Sequence, residues 1–153
     1  MYQTTILPNG ATILTLPIPG VRSAALGFFV GVGSRHEKAA ENGAAHFIEH
    51  MVFKGTEARP KGQLAKDVEA LGGYLNAYTS FDKTCCLTDM PSQHWKTGID
   101  VVRDMAFHPA LDPKELESEK TVIISELEGN EDNPERRLYQ DLQTASLAGT
   151  PYE

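Results

Sequence analysis

The sequence is poor in cysteine and in basic charge. Its two cysteines stand side by side at Cys85 and Cys86, too few and too close to build a disulfide framework. They point to a reducing compartment, and a cytoplasmic location is the expectation. Lys and Arg number 14 against 21 Asp and Glu, a formal net charge of −7, and only Arg136 and Arg137 are adjacent basic residues. A nucleic-acid binder needs a basic stripe to displace counterions from phosphate, so no nucleic-acid partner is expected. Long apolar runs are missing too. The longest, Ala24 to Val32, has nine residues with two glycines among them, where a bilayer span needs about 20. No membrane partner is expected. Met1-Tyr2-Gln3-Thr4 lacks the basic start and apolar core of a secretory signal.

What is present suits one folded domain. A chain of 153 residues can bury roughly 70% of its unfolded surface, and 41% apolar with 23% charged residues fits a globular class. No internal repeat, low-complexity tract or linker interrupts it, so a single domain over 1–153 is expected. The closing Gly149-Thr150-Pro151-Tyr152-Glu153 reads as a cut short of the natural boundary.

The hydrophobic pattern predicts strands over 3–7 and 11–16 around a tight Asn9-Gly10 turn, then a buried strand from Ser23 to Val32. Helices are predicted from Gly43 to Phe53 and from Lys61 to Leu71, the latter closed by Gly72-Gly73. A strand pair over 74–80 and 84–90 follows, then a helix capped by Ser92 that stops before Pro109. Asp112-Pro113-Lys114-Glu115 offers an N-cap, a first-turn proline and a capping-box glutamate for a helix to about Glu128. Asn133-Pro134 opens another toward Leu147. Strand runs separated by helices predict an α+β fold with a largely antiparallel sheet packed with helices.

One cluster carries chemistry: His46-Phe47-Ile48-Glu49-His50. Residues four apart lie one turn apart on the same helix face, so both imidazoles can aim at one point. Glu49 sits between them in angle, within reach of a water there. Two histidines and one further ligand, with a fourth position open, make the donor set of a catalytic zinc ion. The spacing is the inverse of H-E-x-x-H, the inverzincin pattern. Surface histidines on an amphipathic helix are the bland alternative, weakened by the apolar Ala45, Phe47, Ile48, Met51 and Val52 around them.

A third ligand must come from elsewhere. Glu115, Glu119 and Glu126 share roughly one face of the helix begun at Asp112. Glu126, after Val122-Ile123-Ile124 and before Leu127, has the driest sequence neighbourhood and is favoured over Glu117 or Glu128. Glu119 could orient a histidine ring from behind. From spacing alone, a solvated acidic face reads equally well.

The motifs resemble a known family. Gly31-Val32-Gly33-Ser34-Arg35, Glu37, and Gly43-Ala44-Ala45-His46-Phe47-Ile48-Glu49-His50-Met51-Val52-Phe53-Lys54-Gly55-Thr56 look like the zinc-site region of pitrilysin/insulinase metallopeptidases of the processing-peptidase β type. Glu119-Lys120-Thr121-Val122-Ile123-Ile124-Ser125-Glu126 is similar to the family's downstream segment, and Leu71-Gly72-Gly73-Tyr74-Leu75-Asn76-Ala77-Tyr78-Thr79-Ser80 to its substrate-binding edge strand. The resemblance covers nearly the whole chain. It implies the α+β metallopeptidase half-domain (LuxS/processing-peptidase-like) and zinc held by His46, His50 and Glu126. It also implies Glu49 as general base, Glu119 as supporting carboxylate, and Asn76 and Ala77 against substrate backbone.

The implied activity is zinc-dependent endopeptidase cleavage of unfolded or presequence-like peptides. The implied partners are a peptide substrate and a second homologous domain or subunit that closes the chamber. A fragment without that second half is expected to be weak or inactive alone. A non-catalytic subunit of the same fold is the main rival, although such subunits usually lack some of these residues. A lyase that cleaves S-ribosylhomocysteine also carries H-x-x-E-H, but its third ligand is a cysteine much further downstream than Cys85 or Cys86.

Other features read as structural. Gly31-Val32-Gly33 lacks the third glycine of a dinucleotide loop. Cys85 and Cys86 should face opposite sides of a strand, one buried and one exposed. Trp95 and Phe107 are expected in the core, and His36, His94 and His108 on loops or surface. Nine acidic and two basic side chains over 112–135 read as a solvated helix face.

Overall fold

The computed structural model describes residues 1–152. Five strands and five α-helices run in the order β1 (Gln3–Ile6), β2 (Thr12–Thr15), β3 (Ser23–Val30), α1 (Ala44–Met51), α2 (Gln63–Glu69), β4 (Tyr74–Thr79), β5 (Thr84–Pro91), α3 (Trp95–Phe107), α4 (Pro113–Glu131) and α5 (Pro134–Leu147). Strands β3, β5 and β4 form an antiparallel sheet in that order, while β1 and β2 pair as a separate hairpin. The fold is α+β with antiparallel sheets, as the pattern predicts.

The core sits where α2 and α3 cover one face of the sheet. Leu64 and Val68 of α2 meet Val101, Val102 and Met105 of α3 over Ala77, Cys86 and Met90 of the strands. Helix α3 lies so close that a Cβ on Gly98 would come 2.7 Å from Leu26 and 2.8 Å from Met90. Glycine there is a packing requirement. Helix α1 packs against β4 and α4, which places the histidine motif beside an edge strand.

Several local expectations change. The first hairpin does not use a two-residue Asn9-Gly10 turn. Gly10 N–H donates to Leu7 O at 2.9 Å and Leu7 N–H to Ala11 O at 2.8 Å, so Pro8, Asn9 and Gly10 form a three-residue loop. Only Gly10 takes a positive φ, of 87°. Pro8 suits the first inner position of a type I turn and Gly10 the left-handed residue after it.

Strand β3 is not a buried strand. Its exposure alternates, with Phe29 and Val30 open, because it is an edge strand with helices on one face. On central strand β5 one face, Cys86, Thr88 and Met90, is buried; on the other Cys85 is buried, Leu87 half-buried and Asp89 exposed, so both cysteines are buried rather than one. Ser92 begins a short 3-10 turn and does not cap α3. Trp95 and Phe107 remain 43% and 59% exposed at the ends of α3, outside the expected core; Phe107 meets Phe28 edge-on at 4.9 Å.

Asp112 does cap α4, accepting from Lys114 N–H at 2.7 Å. The Glu115 side chain, expected in a capping box, instead pairs with Lys61 at 2.6 Å. Helix α4 continues through Gly129 to Glu131. Asn133 caps α5 through Glu135 and Arg136 N–H.

Candidate metal centre

Helix α1 is short and held at its start from outside. Gly43, at φ 90°, turns the chain into the helix, and the Glu37 carboxylate accepts from Gly43 and Ala45 N–H, both at 2.7 Å. A carboxylate at this end satisfies free N–H groups and meets the positive end of the helix dipole. Ala45 and Met51 are buried. The Thr79 hydroxyl donates to Ala45 O at 3.4 Å, tying α1 to β4. The histidines stay on the face turned toward α4.

There the structure brings three donors together. His46 Nε2 and His50 Nε2 are 3.2 Å apart, and Glu126 Oε2 lies 3.4 Å from His50 Nε2 and 3.9 Å from His46 Nε2. Ligand atoms of a tetrahedral zinc site with bonds of about 2.0–2.1 Å are separated by roughly 3.3–3.4 Å. The three atoms approximate such a triangle, and His46, His50 and Glu126 could hold one metal ion. Two imidazoles and a carboxylate suit zinc.

A second carboxylate stands behind the first histidine shell. Glu119 Oε1 is 2.9 Å from His50 Nδ1, and Lys54 Nζ is 2.5 Å from Glu119 Oε2. Burial alone would raise the Glu119 carboxyl, but hydrogen bonds and charge from Lys54 and His50 outweigh it and hold it below the usual range. An ionised Glu119 accepts only, so a neutral His50 facing it places its proton on Nδ1 and turns the Nε2 lone pair to the triangle.

Dryness falls on the other glutamate than expected. The Glu119 side chain is 5% exposed and that of Glu126 45%. The apolar run before Glu126 does not bury it, because Val122, Ile124 and Leu127 face outward and only Ile123 of that run is buried.

Glu49 is half-buried. Among the described residues its carboxylate has no hydrogen-bond or ion-pair partner. Burial, then the neighbouring Cys85 and the Glu49 charge, push the Cys86 thiol up to about 11. Asn76 and Ala77 lie on β4, whose outer edge is unpaired in this sheet. Asn76 Oδ1 accepts from the Ala77 N–H at 2.9 Å. The apolar cavity of about 350 Å³ between β3 and α1 is lined by none of His46, His50 or Glu126.

Two contributors, Lys54 and Glu37, stand in the motifs quoted from the sequence but are given no role there. Lys54 follows His50 by four positions, so helical spacing could have signalled a shared side. Glu37 reaches α1 across a loop, and no periodicity marks it.

The model of the insulinase family, peptidase family M16, matches residues 12–153. The chain belongs to the insulinase family. It is 39% identical over 146 residues to the uncharacterized zinc protease YmxG of Bacillus subtilis, covering 95% of this chain and 36% of that protein. It is 38% identical over 145 residues to the β subunit of the mitochondrial-processing peptidase of Blastocladiella emersonii, covering 95% of this chain and 31% of that one. Among solved structures, a protease from Helicobacter pylori superposes with a TM-score of 0.92 at 26% identity, covering 99% of this chain and 37% of that chain. The chain thus spans about a third of the length of each of these three relatives.

Proposed function

We propose that this chain is the metal-bearing domain of a zinc metalloendopeptidase that hydrolyses peptide bonds in unfolded or presequence-like peptides. The observation that carries the reading is the triangle of His46 Nε2, His50 Nε2 and Glu126 Oε2, with edges of 3.2, 3.4 and 3.9 Å. Zinc held there would supply Lewis-acid polarisation of the scissile carbonyl and acidify the attacking water.

The chain's own residues do the rest. Glu49 takes the proton of the attacking water and returns it to the leaving amine. Its lack of a hydrogen-bond partner among the described residues supports that role. The open edge of β4, at Asn76 and Ala77, accepts an extended peptide through main-chain hydrogen bonds. The Asn76 amide would release the Ala77 N–H for this pairing. Glu119 orients His50 and stays off the substrate. A second homologous domain or subunit completes the chamber; the greater length of the relatives and the β-subunit name of one support it.

The test is metal content and turnover of the full-length protein. About one zinc per chain is expected, lost in His46→Ala. Glu49→Gln should keep the metal and abolish cleavage of a quenched presequence-like peptide. Metal-free protein with both histidines intact would overturn the reading, as would wild-type turnover by Glu49→Gln.

A further inference from the structure

We propose that Lys54 is a positioning residue of the metal centre, holding Glu119 so that His50 and Glu126 keep their places around one ion. The inference rests on the zinc reading above. It begins with the division of labour on the Glu119 carboxylate: one oxygen meets His50 Nδ1 at 2.9 Å and the other meets Lys54 Nζ at 2.5 Å. Each oxygen has its own partner, so the plane of the carboxylate is set from both sides. Three separate segments meet at this point: α1 through His50, α4 through Glu119, and the turn after α1 through Lys54.

That turn is a firm base. Lys54 N–H donates to Met51 O at 3.0 Å. The next residues are fastened to the segment after α3 by Glu57 N–H to His108 O at 3.1 Å and Ala110 N–H to Gly55 O at 3.0 Å. Gly55, at φ 116°, packs so closely that a Cβ would sit 3.0 Å from Lys61 N. Thr56 Oγ1 donates to the buried Asp104 at 2.7 Å, and Arg59 bonds Asp67, Asp100 and Asp104. The ammonium of Lys54 is therefore presented from a pinned backbone.

Helix α4 lacks such anchorage around the site. Val122, Ile124 and Leu127 are each about half exposed, and Glu119 and Ile123 are its only buried residues. Glu119 and Glu126 are seven positions apart, two turns on one face, so a rotation of α4 moves both carboxylates together. Lys54 fixes the azimuth at Glu119 and, through the helix, the distance of Glu126 Oε2 from the two imidazoles.

The experiment measures zinc affinity by competition with a chromophoric chelator, and the visible spectrum of the cobalt-substituted protein, in the full chain. Lys54→Met should weaken zinc by up to about 10-fold, the lower end of the cost of losing an outer partner of a metal ligand, since Lys54 acts one contact further out through Glu119. It should also weaken and shift the cobalt bands, with the far-UV circular dichroism of the apoprotein unchanged. Lys54→Arg, which keeps a cation, should stay close to wild type in both. In a Glu119→Gln background, Lys54→Met should add less than about twofold, because its route is gone. Unchanged affinity and cobalt spectrum in Lys54→Met would overturn the proposal while leaving the zinc site standing. So would an equal loss in the Glu119→Gln background, or a Lys54→Arg variant as weak as Lys54→Met. A wild-type protein that binds no zinc would overturn both readings together.

Discussion

His50 directs one ring nitrogen to Glu119, at 2.9 Å from Nδ1, and the other to the cluster of His46 and Glu126. The buried Glu119 therefore decides which tautomer His50 adopts. A neutral imidazole with its proton on Nδ1 has a single lone pair left, and that lone pair lies on the side where three donor atoms converge.

Replacing Glu119 by Gln tests this. A glutamine can still accept from Nδ1–H, but without negative charge, and its amide can also turn to donate. Zinc affinity should fall by about 10- to 100-fold, read by chelator competition, with one zinc per chain still reached at saturation. Wild-type affinity would mean that His50 is oriented by packing alone.

The acid limb of stability should follow Asp104 and Asp67. Burial pushes Asp104 up, but bonds from Thr56 and Arg59 win and hold it below its usual value; Asp67 is lowered by Gln63 and then Arg59. A carboxyl whose folded pKa lies below the unfolded value, about 3.9, stabilises fully above that value. The contribution is lost as pH falls through the depressed folded pKa. Asp104→Asn should cost about 1–3 kcal/mol at pH 7, and the gap from wild type should close below about pH 4. Urea unfolding between neutral and acid pH measures it. A gap independent of pH would sink the assignment.

Much of this architecture is legible in the sequence, for identifiable reasons. His46 and His50 share a face because helix geometry is local, and Asp112 and Asn133 cap because their partners lie within three residues. Burial is not local. Cys85 is buried by strands on either side of β5, and Glu119 by Lys54 and α1, neither of which the spacing within α4 encodes. The exposure of Glu126 follows from what covers α4, so an apolar neighbourhood in sequence misjudged it. Glu115 and the Asn9-Gly10 turn went astray for a related reason. A competing influence from outside the motif decides each: Lys61, 54 residues away in sequence, in one case, and the adjacent Pro8 in the other.

The two cysteines should be silent in the folded protein. Both side chains are buried, burial raises Cys85, and Cys86 is pushed up to about 11 by burial and the charges beside it. The thiolate is the reacting species, so an aromatic disulfide reagent at pH 8 should find neither thiol in native protein and both in guanidinium. Rapid modification of native protein would show that β5 opens.

Gly33 joins the segment after β3 to the β4–β5 turn. Ser34 and Arg35 N–H donate to Ser80 and Phe81 O at 3.2 and 3.1 Å, and a Cβ on Gly33 would lie 2.1 Å from Ser80 O and 2.7 Å from Lys83 N. These are backbone atoms and cannot swing aside as a side-chain end can. Gly33→Ala should destabilise by about 1–3 kcal/mol through overpacking, seen as a lower urea midpoint with an unchanged slope. Because Glu37 caps α1 from the same segment, zinc affinity should fall as well.

Metal binding should itself stabilise the fold, since the three donors come from α1 and α4 and are brought together only in the native state. A ligand at 100 times its dissociation constant adds about 2.7 kcal/mol, which for a chain of this size raises Tm by roughly 5–10 °C. Chelation should reverse the gain. Glu126→Ala leaves two imidazoles and should keep a smaller shift, whereas the double variant His46→Ala/His50→Ala should show none. Glu49→Gln should keep the full shift, because that carboxylate is not among the three converging donors. A full zinc-dependent shift in the double variant would place the ion elsewhere on the molecule and remove the basis for the peptidase reading.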